Sequence, residues 1–338
     1  NNLLSYQIQE YIEKYLKIQR DASLNTISTY SYGLLQFINF LKKSKIDIIT
    51  FKVENINYDL TLKYIEYLKE KNNSARTINN RITILKSFLE YVSYKVPSTV
   101  ENNRQIKAVK KIKEETKIHE YFTQEELRLI LLEAKENIKY LCMLSILYDC
   151  ALRVNELCNL KRNDLLLENN NPNLTVEQGK GKRSRIIPLS KENVLIIKHY
   201  LSVCRNENKD EYLFINKYNN KYSLKGVQYI LKKYFEKAKD NCNDLTMFRI
   251  KPHCHMMRHS KGVHLVDANV PLTVIKDLLG HKNIQTTEIY ARISTKAKRA
   301  ILENNSINKE IGVKRTKKEK DELELFLKNN GKINKIIM

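Results

Sequence analysis

The chain has 338 residues, 42% of them hydrophobic, and carries 60 Lys+Arg against 38 Asp+Glu for a formal net charge of +22. Its mean hydropathy is -0.50, and no run of about 18 apolar residues occurs, which argues against a membrane span; the length suits two domains better than one. A field of this sign favours a polyanion, nucleic acid before an acidic membrane face, and six cysteines with no CxxC spacing fit a reduced, cytoplasmic setting.

Only 8 Gly and 5 Pro interrupt the chain, so a mainly α protein is expected. The opening NNLLSYQIQEYIEKYL reads as an amphipathic helix rather than a signal peptide. Four helical patterns fill residues 1–97, over Leu3–Arg20, Thr26–Lys43, Leu60–Lys71 and Ala75–Lys95. In the second, Ile27, Tyr30, Leu34, Phe37 and Leu41 form an apolar stripe at three- and four-residue spacing. Ser74 is placed to cap the fourth helix, whose Arg76, Arg81 and Lys86 are candidate phosphate contacts. A four-helix unit of this size is a plausible small domain.

Pro97 ends the fourth helix, and the lysine-rich stretch 98–119 shows no apolar stripe and reads as a basic linker. Fully extended it would span about 75 Å, enough to pass around a duplex. Order resumes at Thr123 and Glu126, spaced as a capping box. Leu144, Leu147, Tyr148 and Ala151 then mark a buried helix, broken near Asn171–Pro172. Short β-type runs at Leu174–Glu177 and Ser184–Leu189 flank GKG, a hairpin with the basic tip GKGKRSR. Helical patterns return at Lys191–Arg205, Lys225–Lys239 and from about His255 to Asn269, with short helices at Pro271–Leu279 and around Tyr290. The tail from about residue 303 holds a basic run and one small apolar face of Leu323, Phe326 and Leu327, too little to fold alone.

Four places put reactive side chains at element ends rather than in stripes. In ALRVNEL, Arg153 interrupts an apolar pattern with Glu156 three residues on, which by itself describes a structural ion pair. At the hairpin tip Lys180 stands between two glycines, with Lys182 and Arg183 beside it, a basic finger for a DNA groove. In PHCHMMRHS, His255 and Arg258 share a helix face. His255 and His259 there are also spaced for a metal, yet no HExxH or CxxC supplies the remaining ligands. In LLGHKNIQTTEIYARI, Gly280 ends a helix, His281 follows it and Tyr290 comes nine residues later.

Together these residues suit the attack of a phenol on a phosphodiester. With an unperturbed pKa near 10, only about 0.1% of a phenol is ionised at pH 7. A base must therefore take its proton, and cations must hold the phosphate as charge builds on its oxygens.

In order and spacing, ALRVNEL, GKGKRSRIIPL, HMMRH and LLGHKNIQTTEIYARI resemble the motifs of the tyrosine recombinases, the integrase and Xer family. The resemblance covers about Thr123 to Ile293 in its motifs and extends in pattern to the N-terminal helices, which look like the family's core-binding, SAM-like domain. It implies a catalytic domain over 120–302, mostly helical with a small β-hairpin or sheet, and a tail over 303–338 that docks on another protomer. It implies that Arg153 and Arg258 clamp the scissile phosphate, that Glu156 orients its neighbours and that Lys180 protonates the leaving 5′ oxygen. His255 would assist proton transfer at the tyrosine, His281 would hydrogen-bond the phosphate, and Tyr290 would be the nucleophile of a 3′-phosphotyrosyl link. No metal or other cofactor is implied. The implied partners are double-stranded DNA with inverted-repeat sites and a homo-tetramer assembled on it.

Two positions depart from the family pattern: Ala151 stands where glycine is usual, and Lys261 where an aromatic residue is frequent. The Asn- and Lys-rich composition suits an integrase or transposase of a mobile element in an AT-rich genome. A type IB-like topoisomerase shares the chemistry, and a catalytically silent DNA-binding protein or an RNA-binding helical protein would share the charge.

Overall fold

Ser23, Asn57 and Ser74 each leave the chain in extended backbone and accept a hydrogen bond from the N–H three residues on, at 3.2, 2.8 and 3.2 Å. Each thereby caps a helix start that would otherwise hold orphan donors. In the computed structural model, which describes residues 2–114, 120–168, 170–177, 184–203 and 212–293, these caps open α2 (Leu24–Lys43), α3 (Tyr58–Glu70) and α4 (Ala75–Lys95). The chain divides into two compact units, Asn1–Lys117 and Ile118–Met338.

In the first unit, the stretch read as one helix splits into α1 (Leu4–Glu10) and a π-helical segment, Tyr11–Gln19. A wider winding brings residues four and five apart onto one face. Tyr11 and Tyr15 stack there with ring centroids 5.2 Å apart, and Leu16 enters the core beside Tyr11. The same core takes Phe37, Phe40, Tyr64, Leu85, Phe88 and Leu89 from α2, α3 and α4.

Residues 98–114 carry secondary structure that their sequence did not suggest. A 3-10 turn at Pro97–Thr99 leads into α5 (Val100–Lys107), which buries Asn103 and Ile106. Val109 is buried in turn. The chain beyond α5 is strapped to α4: Asn79 donates to the Ile112 carbonyl and accepts from its N–H, both at 2.9 Å. The three-residue spacing of Asn103, Ile106 and Val109 was hidden by lysines. Lys86 is likewise redirected. Its ammonium donates to the carbonyls of Lys107 at 3.0 Å and Val109 at 2.7 Å, closing the C-terminal end of α5. Of the other two cations expected at DNA, Arg76 is exposed and Arg81 lies over the Tyr32 ring at 4.6 Å.

The second unit opens on the expected capping box, with Thr123 accepting from Glu126 N–H at 3.1 Å and Glu126 accepting from Thr123 N–H at 2.7 Å. It begins α6 (Gln124–Ala134). The buried helix is α7 (Ile138–Asp149), so Ala151 lies beyond its end rather than within it. After α8 (Val154–Asn159) comes an antiparallel sheet, β1 (Leu165–Leu166), β2 (Asn173–Val176) and β3 (Arg185–Pro188) in that order. Leu174 pairs with Ile187 and Val176 with Arg185. The strand β1 was not foreseen, since two residues carry no alternation. Then follow α9 (Lys191–Val203), α10 (Leu224–Asp240), α11 (Cys254–Asp267), α12 (Leu272–Leu279) and α13 (Gln285–Ile293). The core joins α6, α7, α9 and α10 with the inward faces of β2 and β3. A smaller apolar cluster, Ala151, Val263, Val266, Ile275, Leu279 and Tyr290, gathers α11, α12 and α13. The hairpin tip and the tail from 303 lie outside the described residues. No described helix is long and apolar enough to cross a membrane.

Because Lys86 is engaged by two carbonyls, Lys86→Met is expected to lower the stability of the first unit by about 1–2 kcal/mol, read as a fall in the urea midpoint. The salt dependence of binding to duplex DNA should keep its slope. A slope reduced by about one unit would return this lysine to a phosphate.

Candidate active site

The end of α7 turns sharply. Ala151 has a φ of 47°, a left-handed conformation that costs a residue with a Cβ about 1–2 kcal/mol. Its carbonyl accepts from Arg258 Nη1 at 2.7 Å, and Arg258 Nη2 donates to the Leu279 carbonyl. Arg258, on α11 and 1% exposed, thus ties the loop before Arg153 to the end of α12, just ahead of His281. Its Nε is buried with no hydrogen-bond partner. Burial first, then the neighbouring Arg153, lowers its pKa to about 10. Among the described residues no carboxylate hydrogen-bonds it. A buried cation so held is costly unless an anion joins it.

Arg153 caps α8 from extended backbone. The Glu156 carboxylate accepts from the Arg153 N–H at 2.8 Å and from its Nη1 at 2.7 Å. The same carboxylate takes a bidentate pair from Arg185, Nη1 at 3.0 Å and Nη2 at 2.8 Å. Arg185 Nε donates onward to the Leu278 carbonyl at 3.1 Å, which fastens β3 to the end of α12. Burial would raise the Glu156 pKa, but Arg185 and Arg153 outweigh it and hold the carboxyl at about 2. The Arg153 side chain remains 42% exposed while Glu156 and Arg185 are nearly covered. Two guanidinium groups therefore share one carboxylate, and of the two only Arg153 faces outward.

Gly280 ends α12 at φ 61°, where a glycine meets no penalty. The following His281 N–H bonds back to the Lys276 carbonyl at 3.0 Å, which presents the imidazole past the helix end. Its Nδ1 lies 2.9 Å from Thr287 Oγ1 on α13. Burial, then the charges of Arg258 and Arg153, lowers the His281 pKa to about 4, so the ring is neutral near pH 7.

Tyr290, 2% exposed, lies flat with respect to His281, 15° between planes. Its ring is seated over Gly262, where a Cβ would stand 2.8 Å from three ring atoms. Burial raises its pKa, and Arg258 and Arg153 pull it part of the way back. Its hydroxyl is 3.2 Å from Nδ1 of His259, not of His255. His255 is exposed and meets His259 edge to face, centroids 4.3 Å apart.

So Arg153, Glu156, Arg258, His281 and Tyr290 converge, with His255 one ring removed from the phenol. Lys180, Lys182 and Arg183 lie outside the described residues. Arg185 was not singled out from sequence, and His259 only for its metal-type spacing with His255. The signal for Arg185 was its register with Ile187, an inward slot on a two-residue period; for His259 it was adjacency to Arg258. Among the described residues no group of three or more His, Cys, Asp or Glu is placed to hold a metal ion. The chemistry of outward-facing Arg153, the unpartnered Arg258 Nε and a neutral imidazole suits an oxyanion.

A model of the Phage integrase family matches residues 120–297, and one of the phage integrase N-terminal SAM-like domain matches residues 8–94. The chain belongs to the phage integrase family, the tyrosine recombinases. Tyrosine recombinase XerA of Pyrococcus horikoshii is 32% identical over 308 residues, 89% of this chain and 94% of that protein. Tyrosine recombinase XerD of Rickettsia prowazekii is 31% identical over 325 residues, 89% and 98% of the two chains. A XerH site-specific recombinase bound to a palindromic difH substrate, in a post-cleavage complex, shares the fold with a TM-score of 0.68 at 21% identity, covering 88% of this chain and 84% of that one. The mainly helical architecture with its SAM-like N-terminal domain is that of these recombinases.

Glu156 is depressed on folding, so its contribution is complete above its ordinary pKa of 4.5 and is lost as pH falls from there toward about 2. Glu156→Gln leaves Arg185 buried without its ion pair and should cost about 3–5 kcal/mol. Urea unfolding as a function of pH is the measurement: the variant should lack the wild-type loss of stability across that acid range. An unchanged acid limb would mean another carboxylate carries it.

Proposed function

We propose that this recombinase cuts and rejoins DNA strands at specific sites through Tyr290. The phenol oxygen bonds to the scissile phosphorus and the bond from phosphorus to the 5′ oxygen breaks. A 3′-phosphotyrosyl link results, which keeps the energy of the diester, so rejoining needs neither ATP nor a metal. Arg153 and Arg258 hold the non-bridging oxygens, with Glu156 fixing Arg153 through the shared bridge to Arg185. His281 donates a hydrogen bond to the phosphate. The phenolic proton passes to His259, with His255 backing that ring, and Lys180 supplies the proton of the leaving 5′ hydroxyl.

The observation that carries this reading is a buried tyrosine within the field of a guanidinium, Arg258, whose Nε has no hydrogen-bond partner. Because Tyr290 is 2% exposed, reaction requires a rearrangement that uncovers it. We further assign the partners as duplex DNA bearing inverted-repeat sites and a homo-tetramer formed on it, with the tail from 303 docking on a neighbouring protomer. Its role is that of an integrase or transposase of a mobile element, which the Asn- and Lys-rich composition supports.

Tyr290→Phe removes one oxygen and keeps the ring. It should bind its site with wild-type affinity yet form no covalent adduct on a nicked suicide substrate. The wild-type adduct should map to the tryptic peptide 283–292. Tyr234→Phe and Tyr229→Phe should still trap DNA; an adduct on another tyrosine would falsify the assignment.

For Lys180, the alanine variant should cleave ordinary DNA slowly. It should recover most of its rate on a substrate whose 5′ bridging oxygen is sulphur, a leaving group that needs no proton. Absence of rescue would move the general acid elsewhere, with Lys182 next to be tried.

A further inference from the structure

Hydrogen-bond accounting around His281 singles out a residue on the nucleophile's own helix. Thr287 is completely buried and its hydroxyl meets His281 Nδ1 at 2.9 Å. Three other helical threonines, Thr29, Thr61 and Thr83, spend their hydroxyl proton on the carbonyl four residues back. Thr287 has no such bond among the described residues, and His281 Nδ1 is the acceptor its proton has. Were the imidazole instead to donate from Nδ1, a buried hydroxyl proton would be left without an acceptor, a cost of about 1–3 kcal/mol. A neutral imidazole has one N–H, and the bond made by one nitrogen sets where it sits.

We propose that Thr287 is a positioning residue that fixes the tautomer of His281: its hydroxyl donates to Nδ1, so the ring proton stays on Nε2, ready to donate to a phosphate oxygen. Nε2 has no hydrogen-bond partner among the described residues. The neutral state follows from burial first and then from the charges of Arg258 and Arg153; the tautomer follows from Thr287. Being three residues before Tyr290, Thr287 shares its face of α13. The position of the nucleophile's helix and the donor state of the phosphate-binding histidine are thereby linked through one hydroxyl. This assignment rests on the strand-cleavage reading for the role of His281, but the tautomer itself does not.

The test uses the full chain labelled with 15N-histidine. In the free wild-type protein, long-range 15N–1H spectra should show His281 protonated at Nε2, with the peak assigned by its loss in His281→Gln. Thr287→Val, which replaces the hydroxyl by a methyl of similar size, should lose that single tautomer. It should slow single-turnover cleavage of the suicide substrate at least about tenfold at unchanged DNA affinity. Thr287→Ser should restore both, which a packing role for the threonine methyl would not allow. If Thr287→Val does not fold, Thr287→Ala carries the same comparison. Protonation at Nδ1 in the wild type, or a valine variant with the wild-type tautomer or the wild-type rate, overturns the proposal. A wild-type chain with the Nε2 tautomer that captures no DNA would leave the contact standing and sink the cleavage reading.

Discussion

The site depends on a cation buried without an anion. Arg258 spends two nitrogens on the carbonyls of Ala151 and Leu279 and keeps its Nε unpartnered at 1% exposure. Carbonyl dipoles stabilise a guanidinium less than a carboxylate would, so the folded protein holds part of the desolvation cost open. Burial lowers the His281 pKa and that residual field adds to it; with Arg153 the field also draws down the Tyr290 pKa against burial. Glu156, whose charge does reach Arg258, is committed by its hydrogen bonds to Arg153 and Arg185. A phosphate entering here therefore meets charge that the protein has not already neutralised, which is the condition for using it on a transition state.

Much of the scaffold could be read from short-range chemistry. Ser74 and the pair Thr123–Glu126 announce helix starts because a cap is a contact within three residues. The two hairpin strands announce themselves by alternation. What stayed hidden is settled at longer range. The π winding at Tyr11–Gln19 depends on how Tyr11 and Leu16 meet Phe88 and its neighbours. Helix α5 depends on Asn79 and Lys86, more than twenty residues upstream of the backbone they bind. A lysine-rich stretch reads as solvated until such partners are known.

The site followed the same division. Arg153 and His281 stand at element ends, where an unusual residue is conspicuous, Arg258 and Tyr290 lie within α11 and α13, and the four do converge. Choosing between His255 and His259 required the position of α13, since two residues four apart share a helix face. The departures from the family pattern also acquire reasons. Ala151 occupies a left-handed position that suits glycine, and its strained carbonyl is the one Arg258 grips. Lys261 fills its slot with an ammonium group 3.0 Å from Asp149 and 4.9 Å from the centre of the Tyr148 ring. Asn193 holds the other Asp149 oxygen at 3.0 Å. The corner that leads into Arg153 is thus braced by polar contacts in place of an aromatic ring.

Gly262 has a consequence for handling the enzyme. Because the Tyr290 ring occupies the volume of a missing Cβ, position 262 acts as a wedge site, where a single methyl would lever the phenol off its seat without touching any group that binds phosphate. An alanine there separates holding the phenol in its seat from releasing it. The reactivity of Tyr290 toward a phenol-directed label would report how far the lever moves, and labelling equal to that of the parent chain would show that the ring yields in place. The smallest side chain in α11 is in this sense the safety catch on the tyrosine proposed as nucleophile.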